Sequence, residues 1–400
     1  MSHSVLYQCF GIHGYHHLKI WQSGGVTFLR IVRGKKRCHA CCSWDVIQKG
    51  YRWRRLRVLP VGRKPVFAEV KMRRFYCREC GRTRYEDLKI ADRKKHYTHT
   101  FESYVMDLCG VMTIQDVSKH LGLNWRTIKE IDCKRLRRNL PRAKDLRKLR
   151  FLGVDEVSVR RGHRYLTTAV DLETGRVVYV GEGRRVESLA PFFRRLKRIG
   201  VKLEAVALDM WKPFAKAIRL SYRRLPLVYD VFHILADYSR VLNEIRVDEA
   251  QRLEGHPDFS LIKGSRYLLL KGHEKLTESA RDRLDRLLEI NRTLNIAYLL
   301  KEELRLLWKL PTRYQAERFL NNWIRLALRS GVAQLARFAR KLRRHAVGIL
   351  NYFDFPISTA KVEGINNRIK VIKRRAYGYR DLDYFKLKIY NIHTTRYSLV

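Results

Sequence analysis

The chain has 400 residues, enough for two or three compact domains, and its 46% of hydrophobic residues is typical of a globular protein. Its charge is unusual, because 84 lysines and arginines against 39 aspartates and glutamates leave a net charge of +45. So basic a surface indicates a polyanionic partner, and we expect nucleic acid in preference to a ribosome-associated role or a basic enzyme without nucleic acid. The sequence has no run of about 18 apolar residues and no visible secretory signal, so we expect no membrane segment and a place in the cytoplasm, on nucleoid DNA.

Residues 1–100 mix short β-like runs with turns and contain six of the eight cysteines. Four of these form two C-x2-C pairs, a spacing that lets a tight turn aim two sulfurs at one tetrahedral ion: Cys38, Cys41, Cys77 and Cys80. Gly81 follows the second pair at a position that often needs a positive φ. The pairs predict structural Zn²⁺, with Cys42 and His39 as competing ligands and four buried thiols as the alternative. The segment YRWRR (51–55) offers aromatic rings and guanidinium groups to DNA.

Residues 113–138, TIQDVSKHLGLNWRTIKEIDCKRLRR, have the pattern of a helix-turn-helix, with an ordinary helical pair as the alternative. Gly122 supplies a sharp turn between two helices with apolar inner faces, and Asn124 is a suitable N-cap for the second helix. Residues near the start of that helix are expected to meet DNA base edges: Asn124, Arg126, Thr127 and Lys129. The basic segment 134–150 predicts a solvated linker and a domain boundary.

From residue 151 the pattern changes to three strand-like runs separated by glycine-containing turns, followed by helix, strand, helix and strand. This β-β-β-α-β-α-β order is typical of an RNase H-like fold, a mixed sheet flanked by helices. Residues from about 231 to 350 predict helices throughout. We therefore expect an α+β multidomain chain with three parts: a zinc-binding module at 1–100, a helix-turn-helix and basic linker at 101–150, and an RNase H-like domain at 151–400 with an all-α insertion at about 234–350.

Three acidic residues stand out by their setting. Asp155 lies inside an otherwise apolar strand, where a carboxylate is costly unless it is paired or binds a metal. Asp209 ends the strand that follows the first helix, so the sheet can bring it beside Asp155. Glu363 lies on the final helix, whose Lys370 and Arg374 could contact DNA. Such an oxygen-rich site suits two Mg²⁺ or Mn²⁺ ions for in-line phosphoryl transfer, although each acid alone could be an ordinary one.

Nearly the whole chain resembles bacterial insertion-sequence transposases of the ISL3 family. The resemblance is carried by the stretches GVDEVSVRRGHRY, ALDMWKPFAKAI, VYDVFHI and STAKVEGINNRIKVIKRRAYGYRD. Those proteins combine a zinc module, a helix-turn-helix and a DDE domain in this order. The resemblance implies that Asp155, Asp209 and Glu363 are the catalytic triad. The first cysteine pair, CHACC, departs from the family pattern by its extra thiol.

Two further residues and one rival assignment follow from the D-V-F-H motif. Asp230 and His233 look like the D-x-x-H element of related DDE families, which indicates a role in positioning substrate or DNA, with a core-supporting hydrogen bond as the alternative. Asp230 also ends a strand and therefore competes with Asp209 as second metal ligand. We favour Asp209, because its strand directly follows the first helix. Glu156 is expected to be a neighbour, because adjacent strand residues face opposite ways.

The resemblance implies a DNA transposase that binds the terminal inverted repeats of an insertion sequence through its N-terminal modules. Its DDE domain would cleave and join strands of double-stranded DNA, at the repeats and at the target, as a homo-oligomer. The alternatives are a non-catalytic DNA-binding regulator or domesticated relative, and another RNase H-like nuclease such as a resolvase.

Overall fold

The computed structural model of the chain describes residues 4–160 and 164–393. Its described residues form two compact units, 4–139 and 140–393.

The N-terminal unit is built on a five-stranded sheet in the order β1-β2-β4-β3, with β5 paired to β4. The strands are β1 (Tyr15–Ser23), β2 (Val26–Arg33), β3 (Val46–Val61), β4 (Lys64–Cys77) and β5 (Thr83–Tyr85). Strands β2 and β4 run parallel, whereas β1 with β2, β3 with β4 and β4 with β5 are antiparallel. One face of the sheet is buried under the short helix α1 (Val5–Phe10), which inserts Leu6 and Phe10.

The expectation of short β-like runs in this unit is wrong for β3 and β4, which have 16 and 14 residues and together form one long antiparallel hairpin. Alternation continues through both strands, so that Leu56 and Val58 are buried while the arginines between and beside them face the other way. Gly50 lies inside β3 at an irregularity in the register with β4, where its φ of 124° lets the strand continue. Helix α1 was not expected from the sequence.

The helix-turn-helix pattern is confirmed by three helices, α2 (His99–Val111), α3 (Ile114–Leu121) and α4 (Trp125–Arg138). Of the apolar positions expected on the inner faces of the last two helices, Ile114 is half-buried and the others are buried: Val117, Leu121, Ile128 and Ile131. Gly122 ends α3 with a φ of 63°, a conformation that costs glycine little. Asn124 caps α4, because its Oδ1 accepts the backbone N–H of Arg126 at 2.9 Å.

The basic segment 134–150 is not a solvated linker throughout, so that expectation is wrong. Its first residues continue α4 to Arg138, and a short helix, α5 (Ala143–Leu146), follows. Leu146 and Leu149 are buried in the core of the second unit. Their spacing of three residues gives this basic stretch one apolar face. Burial of that face packs the stretch against the core, while the charged side chains beside it remain at the surface.

The second unit contains a five-stranded mixed sheet in the order β10-β9-β6-β7-β8. The strands are β6 (Phe151–Arg160), β7 (Arg164–Asp171), β8 (Val177–Glu182), β9 (Ala205–Leu208) and β10 (Leu227–Tyr229), with α6 (Val186–Arg198) and α7 (Lys212–Arg219) between them. The element order along the chain is the expected one. Strands β6, β7 and β8 pair antiparallel, while β9 and β10 run parallel to β6. The turn expected between the first two strands falls at residues 161–163, outside the described residues.

Helices make up the rest of this unit, as expected, but the helix that carries Glu363 is followed by one more helix and is not the final one. They are α8 (Val231–Arg252), α9 (Phe259–Lys263), α10 (Arg266–Leu270), α11 (Glu278–Ile290), α12 (Arg292–Leu306), α13 (Arg313–Arg329), α14 (Ala333–Leu350), α15 (Ala360–Arg375) and α16 (Leu382–Tyr390), with short 3₁₀ turns at His273–Lys275, Leu307–Lys309 and Asn351–Phe353. Trp323 is a core residue, packed between Tyr238 and Phe338. Among the helices of the described ranges, none has the length and apolar character to cross a membrane.

Helix α15 lies directly on strand β6 at Gly153. A Cβ atom at this glycine would be 2.4 Å from Cγ2 of Val362 and 2.8 Å from Cδ2 of Leu172, so the missing side chain permits the close approach. Val362 immediately precedes Glu363. The position of Glu363 relative to the sheet therefore depends on this contact.

Gly153→Ala is expected to lower the free energy of unfolding of the second unit by about 1–3 kcal/mol, because the added methyl group overpacks the contact with Val362. Gly364→Ala is the matched control. Gly364 lies on α15, next to the contact, and a Cβ atom there meets nothing within 4 Å. Alanine is also the better helix former, so this variant should be at least as stable as wild type. Chemical denaturation followed by circular dichroism measures both, and equal stability of Gly153→Ala and wild type would contradict the packing described.

Candidate functional site

Asp155 and Asp209 are brought side by side by the pairing of two parallel strands. Strands β6 and β9 pair Val154 with Leu208, and the residue that follows each of these two is an aspartate: Asp155 within β6 and Asp209 directly after β9. Alternation along β9 gives Asp209 the same facing as Ala207, which packs in the cluster beneath α15. Asp155 faces the same way, because its side chain bonds to α15. The two carboxylates therefore share one face of the sheet.

The Asp155 carboxylate is held by two hydrogen bonds. Asn366 on α15 donates from Nδ2 to its Oδ2 at 2.8 Å, and the backbone N–H of Glu156 donates to its Oδ1 at 2.7 Å. The hydroxyl of Thr168, opposite Asp155 on β7, donates to Asn366 Oδ1 at 3.4 Å and so helps to fix the amide. Burial raises the pKa of Asp155, and the nearby charge of Asp209 adds to the rise. A cation beside this pair would stabilise the charged form of both acids.

Asp209 contacts His233 on the first turn of α8. His233 Nδ1 lies 3.4 Å from Asp209 Oδ2, while Oδ1 of Asp209 accepts the backbone N–H of Met210 at 2.9 Å. The histidine thus faces the carboxylate pair, and its charge when protonated would lower the pKa of Asp155. This arrangement gives His233 a place at the site, whereas its motif partner Asp230 is used differently.

Asp230 ties together the starts of two helices. Its Oδ1 accepts the backbone N–H of Phe232 at 2.8 Å and caps α8, and its Oδ2 accepts the backbone N–H of Thr359 at 2.7 Å, just before α15. The residue is 4% exposed. The structure therefore gives Asp230 the core-supporting hydrogen bonds that the sequence left open as an alternative.

Glu363 is exposed and lies in the first turn of α15. It stands between two contacts of this helix with β6, that of Val362 with Gly153 and that of Asn366 with Asp155. Residues three apart on a helix have Cβ atoms roughly 5–6 Å from each other, so Glu363 is one turn from the residue bonded to Asp155. Within the described residues, Glu363 does not form a group of three mutually close ligands with the two aspartates.

Glu156 lies on the opposite face of β6 but is electrostatically coupled to the pair. Burial raises its pKa to about 7, and repulsion by Asp155 and Asp209 adds to this. Its Oε1 is 3.9 Å from Arg184 Nη1, and the guanidinium of Arg184 lies over the ring of Trp211. Glu156 is therefore a neighbour of the site, as expected from the face of β6 on which it lies. Its charge still acts on the two aspartates.

Sequence reasoning missed Asn366, Thr168 and Arg184. The signal for Asn366 was present, because the E-x-x-N spacing of residues 363–366 places both side chains on one helical face. Thr168 and Arg184 carried no comparable signal. Their roles depend on strand pairing and on the packing of residues that are distant in sequence.

The residues expected to contact DNA differ in how far they are exposed. On α4, Asn124 and Arg126 are exposed, whereas Thr127 and Lys129 are half-buried. The guanidinium of Arg126 lies 5.6 Å from the ring centre of Trp125, which is itself 45% exposed. On α15, the exposed side chains include Lys370 and Arg374.

The four cysteines of the two C-x2-C pairs converge on one point in the N-terminal unit. Cys38 Sγ is 3.7 Å from Cys80 Sγ, and Cys41 Sγ is 3.5 Å from Cys77 Sγ. These distances are far too long for disulfides, and they match the ~3.8 Å that separates sulfurs bound to one tetrahedral Zn²⁺ at about 2.3 Å. The backbone N–H of Cys41 lowers the pKa of the Cys38 thiol, which favours the thiolate form that binds metals, whereas burial and the neighbouring thiols raise the pKa of Cys41.

The competing ligands in the first pair lie outside this cluster. Cys42 occupies the turn position with a φ of 67°, equivalent to Gly81 with 64° in the second pair, and the cluster of four does not include it. His39 Nε2 is 3.7 Å from Asp87 Oδ2. The donor set that the structure brings together is therefore four sulfurs, which suits Zn²⁺.

Comparisons with known proteins agree with this organisation. A family model described as Transposase, for the DDE domain of ISL3 elements, matches residues 152–389, and the model for the helix-turn-helix domain of transposase family ISL3 matches residues 86–132. The transposase for insertion sequence element IS1001 of Bordetella parapertussis is 39% identical over 84% of this chain and 83% of its own length. The transposase for insertion sequence element IS1557 of Mycobacterium tuberculosis, in two strains, is 27% identical over 88% of this chain and 83% of its own.

Among solved structures, the Drosophila P element transposase strand transfer complex covers 74% of this chain and 92% of its own, at 12% identity and a TM-score of 0.41. The assignment rests on the family models and the two relatives. They make this protein a DNA transposase with a helix-turn-helix domain. The chain belongs to the ISL3 family of transposases.

Asp230→Asn is expected to lower the free energy of unfolding by about 1–3 kcal/mol, because asparagine offers one acceptor where two buried backbone N–H groups need one each. Asp209→Asn is the matched control and should leave stability near that of wild type, since this carboxylate is partly exposed and bonds one N–H. Thermal and urea denaturation of the two variants measure the difference. The assigned roles would be contradicted by a destabilised Asp209→Asn beside an unchanged Asp230→Asn.

Metal analysis of the purified protein should find one Zn²⁺ per chain, and Cys77→Ser should lose it, because three thiolates leave the tetrahedral site incomplete. Cys42→Ser tests the competing ligand and should keep the metal. Loss of zinc in Cys42→Ser with retention in Cys77→Ser would overturn the ligand assignment.

Proposed function

We propose that this transposase cleaves and joins DNA strands by metal-dependent phosphoryl transfer, with Asp155, Asp209 and Glu363 as ligands of Mg²⁺ or Mn²⁺. The observation that carries the proposal is the register of β6 with β9, which sets two aspartates at adjacent positions beneath the helix that bears Glu363. The sheet order, three antiparallel strands followed by two parallel ones, supports an RNase H-like arrangement of the second unit.

The donor set fits a divalent cation. Carboxylate oxygens are the ligands that Mg²⁺ and Mn²⁺ prefer. The hydrogen bonds to the Asp155 carboxylate come from an amide and a backbone N–H, and no basic side chain of the described residues is hydrogen-bonded to it. Two such ions, when bound, would activate a water or 3′-hydroxyl and stabilise the leaving oxygen.

The chain's own residues hold the ligands in position. Asn366 orients the Asp155 carboxylate through its Nδ2, and His233 faces Asp209 through its Nδ1. Asp230 acts indirectly, because its hydrogen bonds fix the starts of the helices that carry His233 and Glu363. We therefore assign Asp230 and His233 as positioning residues and the three acids as the catalytic set.

DNA recognition is assigned to the N-terminal unit. Asn124, Arg126, Thr127 and Lys129 would contact the terminal inverted repeats of an insertion sequence, in a zinc-stabilised module (1–100) followed by the helix-turn-helix region (101–150). Lys370 and Arg374 would hold phosphates of the strand near the acids of the DDE domain (151–400). Since both element ends must be held together, the active form is a homo-oligomer, which acts on nucleoid DNA in the cytoplasm.

The test uses purified full-length protein, Mg²⁺ and duplexes that carry the DNA immediately outside its own gene. Wild type should nick these ends and join them to a target duplex, while Asp155→Asn and Asp209→Asn should abolish cleavage and retain end binding in a gel-shift assay. Asp383→Asn removes an exposed carboxylate of the same unit and serves as control.

Absence of cleavage by wild type with both Mg²⁺ and Mn²⁺ on the correct ends would overturn the proposed activity. Cleavage by Asp209→Asn at the wild-type rate would overturn the ligand assignment. Cleavage of branched DNA without joining would indicate a resolvase-like nuclease.

A further inference from the structure

The face of the N-terminal sheet opposite α1 is a layer of alternating aromatic and basic side chains. Of the segment 51–55, Tyr51, Trp53 and Arg55 face this side, because Leu56 of the same strand is buried on the other. Strand pairing extends the layer across the sheet. Arg55 is opposite Glu69, Glu69 is opposite Arg30 and Arg30 is opposite Lys19, while Trp53 is opposite Lys71.

The rings of this layer are covered by cations. The guanidinium of Arg30 lies between Trp21 and Trp53, 5.0 and 4.9 Å from their ring centres. Lys71 Nζ is 4.3 Å from the ring centre of Tyr51. Such contacts are attractive and fix long basic side chains that would otherwise be mobile. The rings therefore order the charges, and each of these three rings has a cation over one of its faces.

A single buried carboxylate orients the two central guanidinium groups. Glu69 accepts from Arg30 Nε at 3.1 Å and from Arg55 Nη2 at 3.0 Å. A guanidinium has five N–H donors, so each of these bonds uses one of the five. The side chain of Arg55 is 60% exposed and that of Arg30 is 43% exposed, which leaves both accessible from solvent.

This layer continues towards the helix-turn-helix. Arg57, two residues beyond Arg55 on the same face of β3, donates from Nη2 to the carbonyl of Leu121 at 3.4 Å. Leu121 is the last residue of α3, immediately before the turn that leads to α4. The guanidinium of Arg57 also lies 4.9 Å from the ring centre of Phe67 and 5.8 Å from that of Phe101 on α2. The sheet face and the helix-turn-helix therefore adjoin within one unit.

We propose that this layer, Lys19, Arg30, Arg55 and Lys71 with Trp21, Tyr51 and Trp53, binds the phosphates of duplex DNA beside the site that the helix-turn-helix reads. Four cations against one carboxylate complement a polyanion, and pre-ordered guanidinium groups match phosphate geometry. A face that binds single strands presents free aromatic surfaces for base stacking, whereas these rings carry cations. This proposal rests on the proposed function, because both take DNA as the ligand. The layer would contribute binding affinity without preference for any DNA sequence.

The first experiment is equilibrium binding by fluorescence anisotropy, without Mg²⁺, over a series of salt concentrations. The probes are a duplex that carries one inverted repeat, a scrambled duplex of equal length and its single strand. The double variant Arg30→Gln/Arg55→Gln should weaken binding to both duplexes by the same factor and reduce the slope of log affinity against log salt by about two. Arg283→Gln/Arg286→Gln, with the same loss of charge on α11, is the matched control and should bind as wild type does.

Arg126→Gln separates this surface from the helix-turn-helix, since it should weaken binding to the repeat duplex more than to the scrambled one. Because the binding assay contains no Mg²⁺, its result does not depend on whether the acids cleave DNA. Unchanged affinities and salt slope in Arg30→Gln/Arg55→Gln, with wild-type zinc content, would overturn the proposal. A loss confined to the single strand would also overturn it and indicate base stacking.

A second measurement uses wild-type protein and does not depend on the folding of any variant. Lysine acetylation followed by mass spectrometry should show Lys19 and Lys71 protected when duplex DNA is bound, with Lys275 in the second unit as reference. Equal modification of Lys19 and Lys71 with and without DNA would contradict the proposed contact.

Discussion

The parallel pairing of β6 with β9 is the constraint on which the proposed catalytic site depends. Backbone hydrogen bonds between these strands set the register, and the register sets two aspartates next to each other on one face. Burial raises the pKa of Asp155, and the like charge of Asp209 beside it raises this pKa further. The sheet therefore maintains a charged arrangement that costs free energy in the isolated chain and that a divalent cation would stabilise.

Two aspartates at the ends of neighbouring parallel strands have different uses because different groups surround them. Asp209 follows β9 and turns one oxygen towards a histidine, whereas Asp230 follows β10 and gives both oxygens to backbone N–H groups. The second aspartate fixes where α8 and α15 begin. Gly153 then lets α15 approach the sheet closely enough for Asn366 to reach Asp155. The proposed catalytic acids are thus positioned by residues that would not themselves touch the substrate.

Much of this organisation follows from local sequence patterns. The turn at Gly122, the cap at Asn124, the paired cysteines and the order of strands and helices are local features, and the structure contains each of them. Long-range contacts were not predictable from one sequence. The bond from Asn366 to Asp155 joins residues 211 positions apart, and the role of Asp230 depends on where Thr359 arrives in the fold. The burial of Leu146 and Leu149 was hidden by the charge of the residues around them.

A crystal structure of the protein with its end DNA and Mn²⁺ would identify the metal ligands, because anomalous scattering locates the ions independently of activity. We expect Mn²⁺ in contact with the carboxylates of Asp155 and Asp209, with Glu363 turned towards it and Asp230 still bonded to Phe232 and Thr359. Mn²⁺ bound to Asp230 in place of Asp209, or a DNA complex with no ion near Asp155, would contradict this expectation.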